Sequence, residues 1–198
     1  MFPLRTSRIL FAGLLIGLLA VAGASFAQQP TFTPPPVSGM PQIGQKAPNF
    51  TLQDQDGKTH HLKDFRGQIV LLAFYPADFT TGCTIEAHTM TAAYKDFRAA
   101  GITPIGVSVQ DVQSHKAFCE KEGIPYTLLA DSQRKVATRY GVLMQIPKMG
   151  GVADRVTFIV GKKGHIVYVD PNVNQHLTSC AADWIAWVKG HPDLCDSQ

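Results

Sequence analysis

The sequence predicts an α/β fold: a mixed central sheet flanked by helices, with a hairpin at its N-terminal end. Two observations carry this. From Ile69 onward, apolar runs of strand length alternate with stretches whose apolar residues recur at helical spacing. The alternation then finishes in two strands joined by Gly161-Lys162-Lys163-Gly164 and a last helix, so one strand pair is antiparallel. No internal repeat is visible.

With 198 residues and 45% hydrophobic content, the chain can fill one real core. Its first 27 residues read as a segment apart. Arg5 and Arg8 precede the apolar run Ile9 to Ala22, and Ser25-Phe26-Ala27 places small residues at −3 and −1 of a cleavage site. That order describes a secretory signal peptide, residues 1–27. The run is shorter than the roughly 20 residues a membrane-spanning helix wants, although an uncleaved anchor is an alternative. No cysteine follows it to carry a lipid. The expected location is therefore periplasmic or secreted. Residues 28–43 hold Pro30, Pro34, Pro35, Pro36 and Pro41 and read as an extended tether, with the domain occupying 44–198. Arg5 and Arg8 are the only charges of the leader, so its loss takes the formal charge from +3 to +1. That balance excludes a nucleic-acid partner.

The elements come in this order. Phe50-Thr51-Leu52, the turn Asp56-Gly57 and Lys58 to His61 form the hairpin. Asp64-Phe65-Arg66-Gly67 turns into the apolar run Ile69–Tyr75, a buried strand that Pro76 ends. Thr80, Thr81 and Gly82 form a polar turn able to cap the next helix. From there Cys83, Ala87, Met90, Tyr94 and Phe97 mark one face of that helix, which runs to about Ala99 and is stopped by Gly101. Ile105–Val109 is the next strand, with Pro104 expected at its start because it lacks an N–H. Asp111 caps a helix from Val112 to Glu122, which Gly123 ends. Tyr126–Leu129 is a short strand, and Asp131 caps a helix from Ser132 to Tyr140. Pro147, Gly150 and Gly151 make Val142–Ala153 a loop. Arg155–Val160 and His165–Val169 are the final strands. The last helix carries Leu177, Cys180, Ala181, Trp184, Ile185 and Val188 on one face.

Cys83 thus lies in the first turn of a helix that leaves the end of a central strand. Free N–H groups and the helix dipole there favour an anion, and the thiolate is the nucleophilic form of cysteine. Thr80, three residues earlier, can offer a hydroxyl to the sulfur or to an incoming oxygen. A small core residue without chemistry is the plainer alternative on composition alone; the strand–turn–helix placement argues for chemistry. The remaining cysteines are Cys119, Cys180 and Cys195, and four cysteines in an oxidising compartment allow three pairings. Positions 86 and 87 are Glu and Ala, so neither a C-x-x-C dithiol nor the C-x-x-x-C of copper delivery is present. The histidines show no i, i+4 pairing and no clustering with acids, so neither metal nor cofactor is expected.

The pattern Pro76-x-x-x-Thr80-x-x-Cys83 resembles the active-site signature of the peroxiredoxins. Its flanks, Phe74-Tyr75-Pro76 and Gly82-Cys83-Thr84, look most like the Q-type subfamily, also called bacterioferritin comigratory protein. The resemblance extends from about Gly44 to about Ile185. It implies a thioredoxin-like fold and an enzyme: a thiol peroxidase that reduces hydrogen peroxide and alkyl hydroperoxides through a sulfenic acid on Cys83. By the same resemblance Pro76 shields the cysteine, Thr80 hydrogen-bonds the peroxide, and Glu86 helps hold an arginine against the sulfur. Arg155 opens Arg155-x-Thr157-Phe158, which resembles the family's second signature and marks it as that arginine. Without the resemblance it reads as a surface residue at a strand end.

Many Q-type enzymes place a resolving cysteine five residues after the first. Here that position is His88, a solvated residue by its place on the helix, and this route is closed. The resemblance offers Cys119 instead, 36 residues on, with a redox-active Cys83–Cys119 disulfide. The two sulfurs start in separate helices, so turns must unwind to bring the Cα atoms within about 7 Å; a spectator Cys119 is the alternative. Cys180 and Cys195, 15 residues apart, suit a structural disulfide, although one of them could instead resolve Cys83, even across subunits. The expected partners are a peroxide and an exported thioredoxin-like reductant, and the expected state is a monomer or weak dimer. Two other readings, an exported thiol–disulfide exchange protein and a non-catalytic binding module of thioredoxin fold, fit less well. The first lacks its C-x-x-C, and the second does not explain Pro76, Thr80, Cys83 and Arg155 together.

Overall fold

The computed structural model describes residues 39–147 and 150–197, and among these nine strands and six α-helices follow one another. The expected leader and residues 28–38 of the tether lie outside the described residues. The hairpin forms as β1 (Thr51–Asp54) and β2 (Thr59–His61). β3 (Ile69–Phe74) is buried at every position, as a strand at the sheet centre must be. α1 (Thr81–Ala92), α2 (Tyr94–Ala99), β4 (Ile102–Ser108), α3 (Val112–Glu122), β5 (Thr127–Ala130) and α4 (Lys135–Arg139) follow. Then come β6 (Leu143–Ile146), β7 (Gly150–Ala153), β8 (Val156–Val160), β9 (Ile166–Asp170), α5 (Cys180–Gly190) and α6 (Pro192–Ser197).

Seven strands form one mixed sheet in the order β2-β1-β5-β4-β3-β8-β9. β3 runs parallel to β4 and antiparallel to β8. Alternation along β3 divides the core. Ile69, Leu71, Ala73 and Tyr75 enter a cluster with Cys83, Met90, Phe118 and Trp184, while Val70, Leu72 and Phe74 enter one with Tyr140 and Phe158. α1, α3 and α5 therefore share one face of the sheet, and the chemistry lies under it.

Several expectations are corrected. The stretch Val142–Ala153 is not a loop but the hairpin β6–β7, with Gln145 paired to Gly151. Its glycines and proline punctuate the turn: Pro147 follows β6, and Gly150 opens β7 at φ 77°. The helix expected to run from Cys83 to Ala99 is two helices, broken at Ala93 (ψ 4°). Just before the break the Thr89 hydroxyl donates to the Ile85 carbonyl at 2.9 Å, a local bond that competes with the helix ladder. The buried stripe nevertheless continues through Met90 to Phe97. Pro104 lies inside β4 rather than at its start. The Val107 carbonyl accepts from Tyr75 on the β3 side, and the Ser108 carbonyl accepts from Asp131 on the β5 side. By the two-residue period Pro104 faces β5, whose pairing begins only at Ile105, so no ladder bond is lost.

The helix expected over Ser132–Tyr140 is the shorter α4, whose first N–H groups at Val136 and Ala137 bond to the Asp131 carboxylate (3.0 and 2.8 Å). Residues 39–43, expected in the tether, touch the domain: Pro41 is buried, and Gly141 at φ 66° packs so closely that a Cβ there would stand 2.5 Å from Gly39. After Gly190 the tail folds back as α6, and the Lys162 N–H donates to the Cys195 carbonyl at 2.9 Å.

Candidate active site

The loop Tyr75–Thr80 carries the chain from the end of β3 into α1. Cys83 is the third residue of α1 and only 2% exposed. The antiparallel pairing of Phe74 with Val156 sets the head of β8 beside the tail of β3. Arg155, the residue before β8, is thereby delivered to the same point, 72 residues away in sequence. Its Nη2–H donates to the Cys83 Sγ at 3.2 Å. Its Nη1–H donates to Glu86 Oε2, and its Nε–H donates to Asn174 Oδ1 at 2.8 Å. Glu86 stands three residues after Cys83 on the same helix face, which lets one guanidinium reach both. Gly82 leaves the room: a Cβ there would lie 3.2 Å from Arg155 Nη2.

Burial pushes Glu86 up to about 7, against the pull of the Arg155 charge. The Arg155 guanidinium is also buried, which works against its charge, but Glu86 and the Cys83 sulfur outweigh that and hold it above its usual value. The fork geometry allows a fixed cation that holds sulfur and carboxylate at once.

Structure and sequence agree in bringing Cys83, Glu86 and Arg155 together. Pro76 is half-buried in the loop, and Thr80 is the N-cap residue of α1. Contrary to the expected capping role, the Thr80 side chain does not cap α1; its hydroxyl donates to the Ala77 carbonyl at 3.0 Å. Cys119 is half-buried in the last turn of α3, its thiol pushed up to about 12 by burial and by the carboxylates of Asp78 and Asp56. All four cysteines are free thiols, so the expected Cys180–Cys195 disulfide is not formed. Instead the Cys180 S–H donates to the Leu177 carbonyl at 3.3 Å, and both Cys180 and Cys195 are buried in the apolar cluster. Burial and Glu86 push Cys180 up to about 12. Burial, with Asp196 beside it, also raises Cys195.

Other groups carry no signal in the sequence. Asn174 steadies Arg155 from the segment after β9. Beneath the loop, Asp78 accepts from Tyr75 Oη (2.8 Å), Ser114 Oγ (2.6 Å) and His115 Nδ1–H (2.9 Å). These bonds outweigh burial and hold the Asp78 carboxyl below its ordinary value. The histidines, unclustered in sequence, meet acids in the fold: His60 faces Asp54, His88 faces Glu122, and His176 faces Asp170 and Asp183. His88 is thus exposed but engaged with α3. A surface cavity of about 320 Å³, lined by Lys46, Leu62, Arg66 and Lys162 among others, contains none of the expected site residues.

The model of the AhpC/TSA family matches residues 43–169. A chloroplastic peroxiredoxin Q of Triticum aestivum is 43% identical over 136 residues, which cover 69% of this chain and 62% of that protein. A protein of Coxiella burnetii named putative peroxiredoxin bcp is 38% identical over 136 residues, covering 67% of this chain and 89% of that one. Among solved structures, peroxidoxin BcpB of Mycobacterium tuberculosis superposes with a TM-score of 0.70 at 27% identity, covering 76% of this chain and 97% of that one. A cysteine-to-serine mutant of the PrxQ of Xylella fastidiosa gives 0.71 at 26% identity, covering 77% and 98%. The sheet order and flanking helices thus form the thioredoxin-like fold of peroxiredoxin structures. On these matches, the chain is a member of the AhpC/TSA family, related to its Q-type peroxiredoxins.

Proposed function

We propose that this protein is an exported thiol peroxidase that reduces hydrogen peroxide and small alkyl hydroperoxides. The observation that carries the reading is the donation from Arg155 to the Cys83 sulfur within a guanidinium fork that also holds Glu86. A buried sulfur with a fixed cation against it is a nucleophile prepared before substrate arrives. The thiolate attacks one peroxide oxygen. An S–O bond forms as the O–O bond breaks, and the other oxygen leaves as alkoxide or hydroxide and takes a proton. Sulfur is oxidised to sulfenic acid and the peroxide is reduced. Arg155 faces both the sulfur and the oxygen bound to it, while Pro76 limits access and the Thr80 hydroxyl offers a bond to the peroxide.

Cys119 then attacks the sulfenic sulfur, forming the Cys83–Cys119 disulfide and releasing water. Its raised thiol value keeps it protonated while half-buried in α3; opening the turn into water frees the thiolate. A thioredoxin-like dithiol reduces the disulfide. Arg5, Arg8, the apolar run and Ser25-x-Ala27 support export before any of this begins.

One equivalent of hydrogen peroxide, added to the reduced chain beginning at Gln28 in excess ordinary thiol and followed by peptide mass mapping, tests the reading. Oxidation should go to Cys83 and end as Cys83–Cys119. Cys119→Ser should keep the first oxidation and slow turnover with a dithiol. A Cys83 left untouched while the competing thiol is consumed would sink the enzyme reading; unchanged turnover in Cys119→Ser would sink the resolving role alone.

A further inference from the structure

Resolution requires the turns around Cys83 and Cys119 to unwind, yet something must keep the two segments together while they do. We propose that Asp78 and His115 form a clasp that stays closed through this opening and serves as its pivot, making both positioning residues for the Cys83–Cys119 step. This rests on the resolving role proposed for Cys119.

Three observations support the pivot. The first is what the clasp joins. Asp78 belongs to the loop that leads into α1, and Ser114 and His115 belong to the first turns of α3. Cys83 lies five residues beyond Asp78, and Cys119 lies four residues beyond His115. Arms of five and four residues reach about 17 Å and 13 Å when extended, enough for the sulfurs to meet without the clasp parting.

The second observation is where each arm is weak. Phe79, the residue after Asp78, holds φ 61°, a conformation that strains a residue with a Cβ. Thr80 then leaves the N-terminus of α1 without a side-chain cap, and no acidic residue stands in its first turn. On the other arm, the Cys119 carbonyl accepts the closing bonds of α3 from the N–H groups of Gly123 and Ile124, so Cys119 sits where that helix frays. Both weak turns lie outboard of the clasp. The exposed Phe79 ring, which meets Phe118 edge-on at 5.1 Å between centroids, is the contact between the arms that must yield.

The third observation is the clasp itself. The side chains of Asp78 and His115 are 1% and 0% exposed. Asp78 accepts from Tyr75, Ser114 and His115, and the other ring nitrogen of His115 stands 3.2 Å from the Leu129 carbonyl. Parting them strands a buried carboxylate and a buried imidazole, which costs far more than fraying a helix end. Opening therefore runs around the clasp. With the clasp shut, the ring closed by the disulfide holds about ten residues; with it parted, the ring runs back to the ladder at Tyr75 and Val107 and holds about 20, so the clasp gives roughly a threefold advantage in loop closure.

The test separates the two chemical steps. In single-turnover experiments with hydrogen peroxide, Asp78→Asn should oxidise Cys83 at the parent's rate, since Asp78 does not touch the sulfur. Its Cys83–Cys119 disulfide should close roughly threefold more slowly, and a larger share of Cys83 should reach sulfinic acid as peroxide is raised. Ser114→Ala removes one bond and keeps the buried pair, so it should show the same split to a smaller degree; it carries the test if Asp78→Asn does not fold. Disulfide closure that is unchanged or faster overturns the pivot, and so does an equal slowing of both steps, which is loop damage. A parent chain that never forms Cys83–Cys119 overturns the resolving role instead.

Discussion

Cys83 and Cys180 each begin a helix on the same face of the sheet, the first in the opening turn of α1 and the second as the first residue of α5. Both are buried, at 2% and 0% exposure, in one apolar cluster. A helix N-terminus and burial are therefore common to both, and neither can make one of them a nucleophile. The difference lies in the next atom. The Cys83 sulfur accepts from the Arg155 guanidinium. The Cys180 thiol donates to a carbonyl and is pushed up to about 12 by burial and by the Glu86 charge. One arginine against the sulfur is the contact that sets Cys83 apart from Cys180. Glu86, which takes one arm of the Arg155 fork, also helps raise the Cys180 thiol.

The widest expected gap comes from deleting each sulfur in turn. Cys83→Ser should abolish peroxide consumption, a loss of at least about 10³-fold, because the serine hydroxyl is not ionised at neutral pH. Cys180→Ala should leave the single-turnover peroxide rate within about twofold and instead lower stability by about 1–2 kcal/mol for the buried volume it removes. Stopped-flow peroxide consumption and denaturant unfolding measure the pair, and comparable rate losses would mean that the contrast is misdrawn. The next largest effect removes the fork. Arg155→Lys retains a charge but not a planar group able to hold sulfur, Glu86 and Asn174 together, and should slow the peroxide step about 10- to 100-fold. A rate unchanged in Arg155→Lys would mean that charge alone suffices.

The sequence made one half of this contrast legible. The unbroken apolar run Ile69–Tyr75 and the 3.6-period stripe from Cys83 located the strand, the turn and the helix start, because a strand buried on both faces reads apolar throughout and a helix buried on one face shows its period. Arg155 and Glu86 were reached only through the family resemblance: 69 residues separate the two side chains that meet, and no periodicity spans that distance. Asn174 and the Asp78–His115 clasp left no signal, since a polar group reveals its partner only after the sheet has ordered the chain. The β6–β7 hairpin was missed because Pro147 and the paired glycines argue equally for a loop, and only the ladder opposite decides. The free state of Cys180 and Cys195 likewise depends on the packing of each thiol, which spacing does not encode.

Glu86 offers a narrower test through pH. Burial leaves its folded value near 7, above the ordinary 4.5 of an unfolded glutamate. A carboxyl raised on folding binds its proton more tightly in the native state. Its favourable contribution is complete below pH 4.5 and is lost as pH rises through about 7. Between those values the parent should lose melting temperature relative to Glu86→Gln, which cannot titrate. The difference between the two curves isolates this group from Asp78, whose lowered value places its own loss of stability at more acid pH. Parallel curves across the window would mean that Arg155 compensates the carboxylate fully in the folded state.

The smallest expected effect is the most specific to the contact itself. Gly82→Ala places a methyl group 3.2 Å from Arg155 Nη2. The guanidinium cannot retreat freely, because Glu86 and Asn174 hold its other nitrogens. It must shift by a few tenths of an ångström relative to the sulfur, and the peroxide rate should fall by about two- to fivefold, well short of the roughly 100-fold that a misplacement of about 1 Å can cost. Position 82 is also inside the first turn of α1, where alanine is favoured over glycine by up to about 1 kcal/mol, so thermal stability should hold or rise. Rate and stability then move in opposite directions, which a general disturbance of the helix would not produce. An unchanged rate would mean that the fork tolerates displacement, and that the advantage proposed for Cys83 over Cys180 comes from the presence of the Arg155 charge rather than from its fine placement.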